Sequence, residues 1–215
     1  MTKQPKPPLP AGGPPAPLTG RQAERRTRIL AASAQLARHG GFEAVQMREV
    51  AETSNVALGT LYRYFPSKIH LLVATMQDQL QQLHATLHAR PRSTPDPAAR
   101  VCETLLRAFR SLQREPQLAD AMVRALTFAN RSASDEVEKV SRLTTTIILE
   151  AMGLESPPTA RQLSAVRVIA HTWHSTLITW LSGRASLEQV RTDIETVCEL
   201  VDMTASSRPA GSTAK

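Results

Sequence analysis

The chain of 215 residues is long enough for one large domain or two small ones, and 41% hydrophobic residues are sufficient to form a core. No apolar run approaches the roughly 18 residues that span a bilayer, and the N-terminus lacks the apolar stretch of a signal peptide, so we expect a cytoplasmic protein. The net charge is +7 and uneven: residues 1–90 carry 11 Lys and Arg against five Asp and Glu, whereas residues 91–215 carry 15 against 14. This asymmetry favours a polyanionic partner such as nucleic acid, although a solvated basic surface would give the same excess.

The two ends of the chain have the composition of disordered tails. Residues 1–18 hold seven prolines, and residues 204–215 mix Ser, Pro, Gly and Ala without periodicity. Between them apolar residues recur at steps of three and four, which is the helical period, and no alternating run indicates a strand. The pattern predicts an all-α fold of about nine helices, with a small domain over residues 19–66 and a larger one over residues 67–203.

Three helices are predicted in the small domain. The first covers residues 21–39 and ends at Gly40 and Gly41, which adopt left-handed backbone without strain. Short second and third helices cover residues 46–53 and 57–64, with a tight turn between them. Two short helices joined in this way form a helix-turn-helix, whose second helix fits a DNA major groove about 12 Å wide.

The third helix has a predicted inner and outer side. Leu61 and Phe65, four residues apart, should anchor it to the core, while Gly59 lets its backbone approach DNA closely and the outer hydroxyls meet phosphates. Ser67 is placed to cap a fourth helix, where Lys68 and free N–H groups offer a further phosphate contact. The first helix adds arginines that either touch flanking phosphates or form a solvated run: Arg21, Arg25, Arg26 and Arg28.

Apolar stripes predict the long helices of the larger domain. Thr159 with Gln162, and Ser186 with Gln189, have the capping-box form that begins a helix. The stripes run through residues 69–87, 101–112, 137–151, 163–180 and 187–201.

The chain shows no catalytic, cofactor or metal motif. The histidine pairs 84/88 and 171/174 lack companion ligands, and no P-loop or Gly-x-Gly-x-x-Gly sequence occurs. Cys102 and Cys198 form no Cys-x-x-Cys pair and fall in apolar helical patterns, so we expect buried free thiols. We predict no cofactor and no enzyme activity. The rival classes are a helical scaffold or enzyme with a basic end, and a lipid carrier.

An apolar pocket is predicted in the larger domain. Trp173 and Trp180 lie two helical turns and about 10 Å apart on one face. They either wall a pocket for a flat apolar ligand or are plain core or dimer-interface aromatics, and other apolar residues nearby have the same two interpretations. The predicted ligand-binding residues are Phe109, Met122, Leu126, Phe128, Ile147, Trp173, Leu177 and Trp180.

The sequence of residues 56–68, VALGTLYRYFPSK, preceded by Arg48-Glu49-Val50-Ala51, resembles the DNA-binding signature of the TetR family of transcription regulators. Gln46 departs from the Thr or Ser that usually caps the second helix in this family. The resemblance implies a homodimer, joined by the last two helices of each chain, that binds a near-palindromic operator and is released when a ligand moves the fourth helix. The predicted DNA-binding residues are Arg48, Ala57, Leu58, Gly59, Thr60, Tyr62, Arg63, Tyr64 and Lys68.

Segments beyond the signature narrow the resemblance. Residues 43–48, 62–73, 115–129 and 173–181 are similar to the actinobacterial branch of the family that represses cholesterol and steroid catabolism. The likeness implies control of steroid or lipid degradation genes and an inducer such as a steroid acyl-CoA. The alternative is a TetR-type regulator of efflux or other metabolism genes with an unrelated hydrophobic ligand. Arg107, Arg110 and Arg124 either bind the phosphates of an acyl-CoA or form a solvated face, and the pattern favours the solvated face.

Overall fold

A computed structural model describes residues 20–88 and 94–205 of the chain. Within these ranges the chain forms nine α-helices and one 3₁₀ turn, with no strand, and no helix is long and apolar enough to cross a membrane. The predicted all-α class is therefore confirmed. The helices are α1 (Gly20–Ala44), α2 (Met47–Thr53), α3 (Leu58–Tyr64), α4 (Lys68–His88), α5 (Pro97–Arg114), α6 (Pro116–Thr127), α7 (Ser134–Met152), α8 (Ala160–Leu181) and α9 (Leu187–Ala205), and the 3₁₀ turn is Arg131–Ala133.

The predicted tails fall largely outside the described residues. The tail over residues 1–18 lies wholly outside them, and so do residues 206–215 of the C-terminal tail. The last helix continues to Ala205, two residues beyond the predicted boundary at residue 203.

The expected end of the first helix at the glycine pair appears as a kink. Gly40 (φ −149°, ψ 22°) and Gly41 (φ 63°, ψ −155°) both leave helical geometry, and Gly41 occupies the left-handed region that favours glycine. The chain then continues to Ala44 before α2 begins. The kink separates the long first part of α1 from the short segment that leads into α2.

Gln46 begins α2 as a weak cap. Its side chain makes no capping hydrogen bond to α2, and its amide donates instead to the carbonyl oxygen of Glu43 at 2.9 Å. Asn55, in the turn before α3, has φ 52°, which Asn tolerates better than most residues. Further along the chain, the predicted capping box of Thr159 and Gln162 is present with both of its hydrogen bonds.

Buried apolar residues form two cores. The first core joins α1, α2 and α3 to α4, α6 and one residue of α7, and the second joins α5, α8 and α9 to parts of α6 and α7. Leu118, Ala121 and Met122 of α6 are at most 3% exposed within the first core, where α6 packs against α1 and α4. No break in packing therefore accompanies the predicted domain boundary at residues 66 and 67.

Polar contacts reinforce the junction of α1 with α4 and α6. The hydroxyls of Ser33 and Thr75, both fully buried, lie 3.0 Å apart and connect α1 to α4. The guanidinium of Arg38 pairs with the carboxylate of Glu115 at 2.9 Å and connects α1 to the start of α6. The small domain is thereby attached to two helices of the larger one.

The two cysteines contact each other across α5 and α9. Both are free thiols, Cys198 buried and Cys102 half-buried, as the sequence predicted in outline. The two thiols are close enough to influence each other, and burial raises the pKa of each. Their separation of nearly a hundred residues along the chain gave no sign of this contact.

Candidate DNA-binding surface and effector cavity

Helix α3 has the inner side that the sequence predicted, but Leu58 and Tyr64, expected on its outer side, pack partly against the first core. Leu61 and Phe65 are 0% and 3% exposed and hold the helix against the first core. Gly59, Tyr62 and Arg63 are exposed on the other side, whereas Leu58 is half-buried and packs against the same core. The other members of the predicted DNA surface divide in the same way: Arg48 and Ala57 are exposed, and Thr60, Tyr64 and Lys68 are half-buried.

Gly59 is not required by the packing of the protein itself. A Cβ atom added at this position would meet no heavy atom within 4 Å, and the residue does not have positive φ. A glycine inside a helix weakens it relative to alanine. The close approach of a DNA backbone would explain why a glycine occupies this position.

The two tyrosines of α3 differ in what their hydroxyls do. Tyr64 is half-buried, and its hydroxyl donates to the carbonyl oxygen of Gln22 in α1 at 3.5 Å. Tyr62 is 46% exposed on the outer side of α3. Tyr62 thus lies on the exposed side of α3, while Tyr64 holds α3 against the start of α1.

A hydrogen-bonded chain begins α4. Ser67 caps the helix as predicted, since its Oγ accepts from the backbone N–H of His70 at 3.5 Å. The ring of His70, 7% exposed, lies between Ser67 Oγ at 2.8 Å from Nδ1 and the carbonyl oxygen of Ser132 at 2.9 Å from Nε2. Because a carbonyl only accepts, Nε2 carries a proton and donates it to Ser132. The start of α4 is thereby connected to the 3₁₀ turn before α7.

Lys68 is held by an aromatic ring. Its Nζ lies 4.0 Å from the centre of the Phe42 ring, and the guanidinium carbon of Arg124 lies 4.6 Å from the same centre. Burial lowers the pKa of Lys68, the nearby Glu43 opposes this, and Arg124 adds to it. Arg124 also pairs with Glu43 at 3.3 Å and with Asp120 at 3.7 Å, so it lies at the junction of α6 with α1, where two carboxylates and one aromatic ring engage it.

Two cavities lie inside the larger domain. The outer cavity, about 640 Å³, is enclosed by α4, α6, α7 and α8, and the inner cavity, about 80 Å³, by α4, α5, α6 and α8. They share a wall formed by Met76, Leu80, Trp173 and Leu177. Movement of these four side chains would join the cavities into one apolar space next to α4.

The structure brings four of the eight predicted ligand-binding residues to these cavities. Trp173 and Leu177 line both, Met122 lines the inner one and Leu126 the outer one. Trp180 packs edge-on against Phe109, with ring centres 4.9 Å apart, in the second core. The remaining two lie outside the walls of both cavities: Phe128, which is 64% exposed, and Ile147.

The outer cavity has a polar side that the sequence did not indicate. Three consecutive threonines of α7, residues 144–146, line it together with Arg142 and with Arg167 and His171 of α8. His174 also lines this cavity, and its Nε2 is buried without a hydrogen-bond partner. Burial lowers the pKa of His174, and the neighbouring His171 lowers it further. The arginines that line the outer cavity are therefore Arg142 and Arg167. Arg107 does not line it and contacts Glu103 on its own helix.

No group of three or more His, Cys, Asp or Glu in the described ranges is arranged to hold a metal ion. Of the two histidine pairs considered from the sequence, His84 forms an ion pair with Glu150. Both members of the other pair, His171 and His174, line the outer cavity.

Comparison with known proteins gives matches over both parts of the chain. The model of "Bacterial regulatory proteins, tetR family" matches residues 29–75, and that of "Tetracyclin repressor-like, C-terminal domain" matches residues 95–201. The HTH-type transcriptional repressor KstR of Rhodococcus jostii is 43% identical over 190 residues, 87% of each chain. KstR of Mycobacterium tuberculosis is 41% identical over 180 residues, 84% of this chain and 81% of that one.

Solved structures agree with the sequence matches. A TetR transcriptional regulator from Rhodococcus sp. RHA1 superposes with a TM-score of 0.78 at 38% identity, covering 84% of this chain and 97% of that one. FadR from Thermus thermophilus, a TetR-family repressor solved in complex with lauroyl-CoA, gives a TM-score of 0.66 at 18% identity, covering 88% and 100%. The second likeness shows the fold alone.

Proposed function

Because this chain belongs to the TetR family of transcriptional regulators and is 41–43% identical to KstR repressors over most of its length, we propose that it is a ligand-released repressor of steroid or lipid catabolism genes. The observation that carries the proposal is the first core, in which the helix-turn-helix and the wall of the effector cavity share α4 and α6. A ligand that moves Met76 or Leu80 in that wall moves the helix whose first residue, Lys68, follows the recognition helix.

The cavities support an apolar effector. The inner cavity is walled mostly by aliphatic and aromatic side chains, the outer one has an apolar and a polar side, and its 640 Å³ lies within the usual 300–1,000 Å³ of ligand sites. Burying about 300 Å² of a steroid skeleton contributes about 7 kcal/mol before the costs of association. The FadR of Thermus thermophilus was solved with lauroyl-CoA and that of Bacillus subtilis with stearoyl-CoA, which supports a CoA thioester in this fold. Arg142 and Arg167 supply positive charge for its phosphates.

The operator is read by a homodimer in this proposal. Val168 of α8 and Leu187 of α9 are 45% and 54% exposed, and a partner chain would cover them. Small side chains on the same side of α8 as Val168 would let a second helix approach, namely Ser164, Thr172 and Ser175. Two-fold symmetry then places the recognition helices about 34–36 Å apart and requires a near-palindromic site.

The first experiment identifies the operator. The purified chain is used to select fragments from the source genome, and the bound sites are footprinted. We expect a near-palindrome occupied by two chains, upstream of genes for steroid or lipid degradation. If no fragment binds more tightly than scrambled duplex, the proposed function is wrong.

The second experiment identifies the effector. A steroid acid, its CoA thioester, lauroyl-CoA and CoA alone are titrated against the protein–operator complex. The variant Trp180→Phe leaves Trp173, in the cavity wall, as the only tryptophan and therefore as a fluorescent reporter. We expect release by the steroid thioester with about 5–150-fold loss of operator affinity. Indifference to both steroid compounds, with unchanged fluorescence, would remove steroids from the ligand class.

A further inference from the structure

We infer that His174 is a ligand-binding residue of the outer cavity, and that its imidazole hydrogen-bonds a ketone or hydroxyl oxygen carried on the apolar body of the effector. The inference rests on the proposed function, since it takes the outer cavity as the effector site. It narrows the effector from any amphiphile to one whose buried part contains oxygen.

The first support is the missing partner of Nε2. Buried polar atoms in folded proteins almost always have a hydrogen-bond partner, and each exception calls for an explanation. In the described part of the chain, Nε2 of His174 is the one buried side-chain nitrogen or oxygen found without a hydrogen-bond partner. His174 also lines the outer cavity, so a turn of the ring would bring Nε2 to a group that enters there.

The second support is the charge state of the ring. Burial and His171 both lower the pKa of His174, so the imidazole is neutral near pH 7. A neutral imidazole has one N–H donor and one acceptor nitrogen, which suits a ketone or a hydroxyl rather than a phosphate. Rotation about the last torsion of a histidine side chain meets only a broad energy profile, so the ring can turn its nitrogen toward a ligand.

The third support is the arrangement of charge around the ring. Arg167 and His171 face the cavity from α8, and Glu138 and Arg142 face it from α7. Arg142 is 68% exposed and pairs with Glu138 only at 3.6 Å, so its guanidinium is available to an anion at the rim. The cavity thus offers a neutral hydrogen-bonding group deep in its wall and cations at its rim, which fits an oxygenated apolar body with an anionic end. A saturated straight acyl chain would leave His174 unsatisfied.

The test uses the full chain bound to its operator and two CoA thioesters that differ in one atom group. The first carries a ring ketone on a polycyclic acid, and the second is the same acid without the ring oxygen. For His174→Phe, we expect the concentration of the ketone thioester that releases half of the operator to rise about tenfold. The corresponding concentration of the oxygen-free thioester should not change. His174→Gln retains a hydrogen-bonding group and should recover most of the response to the ketone ligand.

The outcomes separate the two proposals. If neither thioester releases the wild-type chain, the steroid ligand class is wrong and this inference with it. If both release it, but His174→Phe shifts both equally or neither, the inference alone is wrong and His174 has only a packing role.

A spectroscopic measurement keeps the test independent of folding in the variants. In wild-type chain labelled at histidine, the His174 ring signal, assigned by its loss in His174→Gln, should shift with the ketone ligand far more than with its oxygen-free counterpart. Equal shifts with the two ligands would overturn the inference even if His174→Phe does not fold.

Discussion

The ammonium of Lys68 lies 4.0 Å from the centre of the Phe42 ring. The contact places the first residue of α4 against the segment that follows the kink in α1. A cation held in this way keeps N–H donors free for a phosphate on its other side. Lys68 can therefore serve both the fold and the DNA surface.

The first prediction separates those two roles. Lys68→Met should weaken binding to specific and scrambled duplexes alike and reduce the slope of log affinity against log salt by about one per chain. Phe42→Leu keeps the charge but removes its aromatic support, so we expect a smaller loss of affinity with an unchanged slope. Fluorescence anisotropy over a series of salt concentrations measures both. An unchanged slope in Lys68→Met would place the ammonium away from the phosphates.

A second prediction concerns Gly59 and has opposite signs for stability and function. Because an added Cβ meets nothing, Gly59→Ala should raise the free energy of unfolding by up to about 1 kcal/mol. The same methyl group should weaken operator binding by keeping DNA from the helix backbone. Gln81→Ala, at an exposed position of α4, is the control and should leave operator affinity unchanged. Undiminished affinity in Gly59→Ala would show that α3 does not approach DNA at this point.

The two tyrosines of α3 provide a matched pair of hydroxyl deletions. Tyr62→Phe should reduce operator affinity several-fold without changing the free energy of unfolding, since the Tyr62 side chain is exposed. Tyr64→Phe should lower the free energy of unfolding by about 0.5–1 kcal/mol, because it removes the hydrogen bond to Gln22. Chemical denaturation and operator titration of both variants check this. Similar losses of affinity in the two variants, with stability unchanged, would mean that both hydroxyls face DNA.

The fourth prediction concerns pH. The pKa of His174 is lowered in the folded chain from its usual 6.5, so the unfolded chain binds more protons between the lowered value and 6.5. The contribution of His174 to stability is therefore complete above about pH 6.5 and is lost as the pH falls below it. The ring is faced by Arg167 and His171 on α8 and by Glu138 and Arg142 on α7. Denaturation of wild type and His174→Gln between pH 5 and 8 should show a shallower acid decline in the variant; parallel curves would contradict the prediction.

The local features of this chain were readable from the sequence. The helical period, the turn before α3 and the capping box at Thr159 depend on residues close together in the chain, and each was found where its pattern indicated. The inward direction of Leu61 and Phe65 followed from the same short-range geometry. Periodicity identifies the buried side of a helix, but it does not identify the helix that covers that side.

The features that the sequence left unresolved are therefore contacts between distant segments. Arg124, considered as a phosphate partner for an acyl-CoA, lies against Phe42 and Glu43 at the junction with α1. Trp173 and Trp180 are both tryptophans of α8 and lie two turns apart, yet Trp173 lines a cavity and Trp180 packs on Phe109. The Cys102–Cys198 contact and the unpartnered nitrogen of His174 also depend on which helices become neighbours.

The first core has a consequence for how such regulators exchange parts during evolution. Since α6 buries Leu118 and Met122 in the first core, where it packs against α1, a recombination that joins one chain's first 66 residues to another chain's remainder would bring mismatched surfaces together. Viable hybrids should instead take α4 and the buried side of α6 from the same parent as the helix-turn-helix. The residues that must be inherited together therefore come from separate stretches of the gene. New operators should accordingly arise more readily by point changes on α3 than by exchange of whole segments.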